Sequence, residues 1–116
     1  MKNLKQIREL LVDLYGCRAD LDNAKFLTAV LETAAQKMGS KIIKTTYHKF
    51  SPTGTTVIVI LAETHISIHT WPEHKYAALD IFICSEEIDP EIGWQAVKDA
   101  LNPSSFEIHK ITRKIE

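Results

Sequence analysis

The stretch Leu61-Ala-Glu-Thr-His-Ile-Ser-Ile-His-Thr-Trp-Pro-Glu-His-Lys-Tyr-Ala-Ala-Leu-Asp-Ile-Phe-Ile-Cys84 decides how the chain is read. Apolar residues alternate in it with groups that carry chemistry. Successive side chains of a strand point to opposite faces. A strand over His65–Trp71 therefore puts His65, Ser67, His69 and Trp71 on one face, with Ile66 and Ile68 on the other. A second strand over Tyr76–Cys84 puts Tyr76, Ala78, Asp80, Phe82 and Cys84 on one face and Ala77, Leu79, Ile81 and Ile83 on its reverse. Between them Pro72 lacks a ladder donor and favours a turn. The expectation is a hairpin with one greasy face and one reactive face.

Upstream, Met1–Glu9 is charged and reads as loose chain or a short helical turn. Leu10–Tyr15 reads as a first strand ended by Gly16. Asp20 and Asp22 are candidate N-caps for a helix in which Leu27, Val30, Leu31, Ala34 and Met38 recur at helical spacing. Gly39 ends it. Lys41–Ser51 is rich in Thr, Tyr, Ile and Phe, as strands prefer, and Pro52-Thr53-Gly54 is a turn signal. The β-branched run Thr55–Leu61 reads as a central strand buried on both faces. Downstream, Asp89 and Pro90 open a second helix with Trp94, Val97 and Leu101 as its stripe. Asn102-Pro103 closes it, and Ser104–Arg113 is a last strand. The order β-α-β-β-β-β-α-β, with short connections, predicts antiparallel pairing. It gives an α+β two-layer sandwich whose sheet is covered on one face by two helices.

The 116 residues read as one domain spanning 1–116. With 45% hydrophobic residues and a net charge of −1, the chain is neither disordered nor built for nucleic acid. No apolar run approaches the ~20 residues that cross a bilayer, and the first residues lack the apolar core of a secretion signal. Cys17 and Cys84 offer one bridge at most, so a reduced cytoplasmic protein is expected. A chain this short buries a modest core. Self-association would add to it and enclose a pocket that one copy cannot.

Several chemistries compete for the reactive face. His65 and His69 would share a helix face, as zinc-binding histidines do. Along a strand, however, they stand roughly 13 Å apart, too far for one ion with bonds near ~2 Å, so no metal is expected. Cys84 and His69 could meet across the hairpin as an activated thiol; the alternative is an inert buried cysteine. The four scattered glycines form no phosphate loop.

The string Ala62-Glu-Thr-His-Ile-Ser-Ile-His-Thr-Trp-Pro-Glu73, followed by Tyr76–Cys84, resembles the prokaryotic S-adenosylmethionine decarboxylase family. So do Asp13-Leu-Tyr-Gly-Cys17 and His48-Lys-Phe-Ser-Pro52 with Gly54. The resemblance covers nearly the whole chain. It implies a proenzyme that cuts itself before a serine in Glu-Ser-His. That serine becomes a pyruvoyl group, whose ketone forms a Schiff base with the substrate amine and draws electrons as carbon dioxide leaves. No metal is needed. The product is the aminopropyl donor for spermidine. By position, the scissile bond is Glu63–Thr64, His69 matches the base of self-processing, and Cys84 matches the thiol that returns a proton to the substrate carbon. The family further implies a homodimer with the active site near the subunit interface.

Thr64 departs from the family's serine. Threonine keeps the nucleophilic hydroxyl but leaves an extra methyl, giving a 2-oxobutanoyl group. Its branched Cβ also restricts χ1. Three outcomes stay open: decarboxylation of S-adenosylmethionine, an unprocessed and silent relative that binds an adenosyl ligand or a partner subunit, or decarboxylation of another amino acid such as ornithine or arginine. For substrate contacts, a sulfonium cation favours aromatic faces, which points to Phe50, Trp71 and Tyr76. Glu73 is a candidate for ribose hydroxyls or the cation, and Thr56 for supporting the ester intermediate.

Overall fold

The computed structural model describes residues 6–115. Six strands and two helices follow in the expected order: β1 (Gln6–Tyr15), α1 (Ala24–Met38), β2 (Lys41–Lys49), β3 (Thr55–Ala62), β4 (His65–Trp71), β5 (Tyr76–Ile83), α2 (Pro90–Leu101) and β6 (Ser105–Lys114). A 3₁₀ turn at Pro72–His74 joins β4 to β5. The strands form one antiparallel sheet in the order β2-β3-β4-β5-β1-β6. Both helices lie on one face. This is the α+β two-layer sandwich that the pattern predicts.

Leu27, Val30, Leu31, Ala34, Ala35 and Met38 of α1 are buried, as are Trp94, Val97 and Leu101 of α2. They meet Val57, Val59, Ile66, Ile68, Leu79, Ile81, Leu10 and Val12 from the sheet. Each fully buried aliphatic side chain stabilises the fold by about 1.5–3 kcal/mol. Gly39 takes the left-handed conformation that ends α1, and Asp89 caps α2 through the Glu91 amide.

Four expectations need correction. The first strand starts by Gln6, because Ile7 and Glu9 continue the alternation of Leu11 and Asp13 on one face; Met1–Lys5 lie outside the described residues. The N-cap of α1 is Asn23, whose side-chain Oδ1 accepts from the Phe26 amide, in place of Asp20 or Asp22. Asp20 accepts from the Asp22 amide, and Asp22 turns to Gly54 and Lys49. The second strand ends at Lys49, where the turn that carries Phe50 begins. Finally, β3 is buried on one face only: Val57, Val59 and Leu61 are covered, while Ile60 is 41% exposed. Its β-branched run does not mark a doubly covered strand. It marks a second apolar face that no described residue covers.

Candidate active site

The open face of the sheet carries the reactive groups, and they collect at two separate ends of β4. At one end, Thr56 of β3 stands opposite His69 of β4, and its Oγ1 lies 2.8 Å from His69 Nδ1. Phe50, Thr53–Thr56, His69–Trp71 and Glu73 line a cleft of about 320 Å³ here. The loop beside it is tightly tied. The Phe50 amide donates to the Gly54 carbonyl at 2.8 Å, and the Gly54 amide donates to Asp22 at 2.9 Å. Gly54 has φ +107°, and a Cβ there would stand 3.2 Å from the Thr70 carbonyl oxygen, so the turn favours glycine. Thr70 is buried and donates to the Leu21 carbonyl at 2.8 Å. These bonds hold Phe50 and Trp71, both more than 40% exposed, at the cleft mouth. Thr53 donates to Glu73 at 3.3 Å. Phe50, Thr56, Trp71 and Glu73 thus come together with His69. Tyr76 sits behind Trp71, their rings 5.4 Å apart.

At the other end, Glu63 and Thr64 make the turn between β3 and β4, closed by the Leu61 amide donating to the Thr64 carbonyl at 2.8 Å. A hollow of about 480 Å³ opens beside them, lined by Ile58, Ile60, Glu63, Thr64, His65, Ser67 and Phe82. Cys84 follows β5 two residues after Phe82 and is buried. Burial, and next the Glu63 carboxylate, push its thiol pKa up, so it holds its proton at neutral pH.

The two ends do not meet within one chain. His69 lies four residues along β4 from His65, about 13 Å at ~3.3 Å per residue. The expected meeting of Cys84 with His69 is therefore corrected. The turn at Pro72–His74 pairs Trp71 with Tyr76, and the register then sets His69 opposite Ala78 and His65 opposite Phe82. Cys84 is carried past the start of β4, to the Glu63 side.

The sequence reading gave no role to Asp80, Glu9, Ile58 or Ile60. Asp80 was detectable as the one carboxylate among the alternating open-face residues of Tyr76–Cys84. Glu9 was hidden in a segment read as loose chain or a short helical turn. Among the described residues, no helix is long and apolar enough to cross a membrane.

The family model for S-adenosylmethionine decarboxylase matches residues 8–114. An S-adenosylmethionine decarboxylase proenzyme of Methanococcus aeolicus is 45% identical over 107 residues, covering 91% of this chain and 92% of its own. The proenzyme of that name from Thermotoga maritima is 40% identical over 95 residues, covering 81% and 73%. The crystal structure of the adenosylmethionine decarboxylase from Aquifex aeolicus superposes with a TM-score of 0.90 at 33% identity, covering 97% of this chain and 94% of its own.

Proposed function

The chain belongs to the S-adenosylmethionine decarboxylase family, and from that premise we propose that it is a self-processing S-adenosylmethionine decarboxylase whose active site is assembled from two copies. The observation that carries this reading is the split of the reactive groups: Thr64 and Cys84 at one end of β4, His69 and Thr56 at the other. A general base works at about 2.6–3.2 Å, and roughly 13 Å of strand separates His69 from the scissile turn. A two-fold axis over the open face repeats one contact twice. It would set the Thr64 end of each copy against the His69 end of the other. Ile60 and Ile111, each 41% exposed on that face, are the apolar surface such pairing would bury.

In processing, the Thr64 hydroxyl attacks the Glu63 carbonyl carbon, and the amide becomes an ester as nitrogen gives way to oxygen. His69 of the partner subunit removes the Thr64 α-proton. The ester C–O bond breaks by elimination, leaving Glu63 as a free carboxylate. The unsaturated residue left at position 64 takes up water and releases ammonia, so that it ends as a 2-oxobutanoyl group. For His69 to act, Thr56 accepts from Nδ1–H, which leaves the Nε2 lone pair for the base.

The ketoacyl group suits the residues around it. Thr64 faces a hollow walled by Ile58, Ile60 and Phe82, which gives its extra methyl an apolar place. When formed, that group supplies an electron sink that holds the substrate amine while carbon dioxide leaves. Phe50 and Trp71 offer aromatic faces to adenine and the sulfonium, with Glu73 at the rim for ribose hydroxyls. Cys84, held protonated, returns a proton to the substrate α-carbon. The carboxylate released at Glu63 adds negative charge beside the thiol and keeps it so. The product would serve as an aminopropyl donor for spermidine.

The test is carbon dioxide release by purified protein from carboxyl-labelled S-adenosylmethionine, with ornithine and arginine alongside. Release from S-adenosylmethionine alone is expected. No release, or release only from another amino acid, overturns the reading.

A further inference from the structure

His65 follows Thr64 directly and opens β4. Its ring stacks on Phe82, centroids 5.4 Å apart at 18°, and its Nε2 lies 3.5 Å from Asp80 Oδ2. Both partners come from β5: Phe82 stands opposite His65, and Asp80 stands opposite Ser67, one same-face step along. The residue after Thr64, second beyond the scissile bond, therefore has a stacked ring and a carboxylate beside it.

Asp80 is itself held. Its second oxygen, Oδ1, is buried with no hydrogen-bond donor among the described residues. In the next strand, Glu9 stands opposite Phe82 and Leu11 opposite Asp80, so Glu9 is a diagonal neighbour of Asp80 on the same face. Burial, then the charge of Asp80 and a hydrogen bond with it, push the Glu9 carboxyl pKa up, while Arg113 and His65 oppose the rise. Glu9 thus keeps its proton to higher pH than an ordinary glutamate. Arg113 of β6 and His65 of β4 are the other charged or titratable groups acting on this pair.

We propose that Asp80 is a positioning residue for self-cleavage: together with Phe82 it grips His65, and through His65 it fixes the Glu63–Thr64 bond for attack by the Thr64 hydroxyl. This rests on the reading that the Glu63–Thr64 bond is cut. A reacting group displaced by ~1 Å loses up to about 100-fold in rate, and a loosened His65 has that freedom.

The test follows the appearance of the two fragments on denaturing gels between about pH 5 and 8, the range in which histidine changes charge. The wild type is compared with Asp80→Asn and Asp80→Glu, with melting temperature and oligomeric state measured for each. Asp80→Asn is expected to slow cleavage about 10-fold and to change its pH dependence, since a neutral amide replaces the carboxylate beside His65. Asp80→Glu restores part of the rate. Wild-type cleavage by Asp80→Asn at every pH overturns the proposal and leaves the decarboxylase reading standing. So does a loss that follows the melting temperature and keeps the wild-type pH profile. A wild type that never cleaves overturns both.

Discussion

If the site is shared between copies, two inactive variants should repair each other. Thr64→Ala removes the nucleophile and leaves the His69 end intact; His69→Ala does the reverse. Each alone gives dimers in which both composite sites lack a member. Co-expressed in equal amounts with different tags, they assemble about half of the dimers as mixed pairs. Each mixed dimer has one site missing both groups and one site with Thr64 from one copy and His69 from the other. About one quarter of all sites is thus complete. The assay is a denaturing gel followed by carbon dioxide release. Up to about half of the His69→Ala chains should be cut, all of them in mixed dimers, and activity should reach roughly a quarter of wild type. A base working within its own chain would have to cross the ~13 Å of β4. Mixed dimers that form but yield no fragment would refute the shared site.

Replacing Thr64 by serine removes the methyl and the χ1 restriction; processing should accelerate, and the downstream fragment should lose one methylene in mass. Thr56→Val keeps the shape but strips His69 Nδ1 of its 2.8 Å partner. A net loss of about 1 kcal/mol predicts cleavage roughly fivefold slower, with the melting temperature little changed. Leu31→Ala opens a cavity at a fully buried position between α1 and the sheet, which should cost about 2–5 kcal/mol in denaturant unfolding. The Asp22 carboxyl pKa is lowered by its bond to Lys49 and next by the Gly54 amide. A carboxyl depressed in the folded state contributes stability above its unfolded value, and this is lost as pH falls through the folded one. Wild-type melting temperature should therefore fall more steeply on acidification than that of Asp22→Asn.

The alternation of His65–Trp71 and Tyr76–Ile83 made the hairpin and its reactive face legible, because period two leaves no other way to bury Ile66, Ile68, Leu79 and Ile81 together. The helices were legible from Leu27, Val30 and Leu31 and from Trp94, Val97 and Leu101 for the same kind of reason. What stayed hidden depends on register and on neighbours far along the chain. Alternation puts His69 and Cys84 on one face but does not say that the Pro72–His74 turn sends them to opposite ends. An exposed Ile60 is indistinguishable in sequence from a buried one. Asn23 competed with Asp20 and Asp22 as a cap, and only the path of the loop toward Gly54 decides which carboxylate is needed elsewhere. Glu9 and Asp80 lie 71 positions apart in sequence, and their proximity depends on β1 lying next to β5. The cleft residues Phe50, Thr56, Trp71 and Glu73 were selected by resemblance and by the chemistry of a sulfonium. Their common lining of one cleft is a property of the fold.

The most direct measurement is the intact mass of the purified, incubated protein before and after borohydride or hydroxylamine. The account predicts two fragments, residues 1–63 ending in a carboxylate and residues 64–116 beginning with a 2-oxobutanoyl ketone that either reagent modifies. A single unmodified chain of 116 residues, or a downstream fragment that begins with an ordinary amine and ignores both reagents, would contradict it.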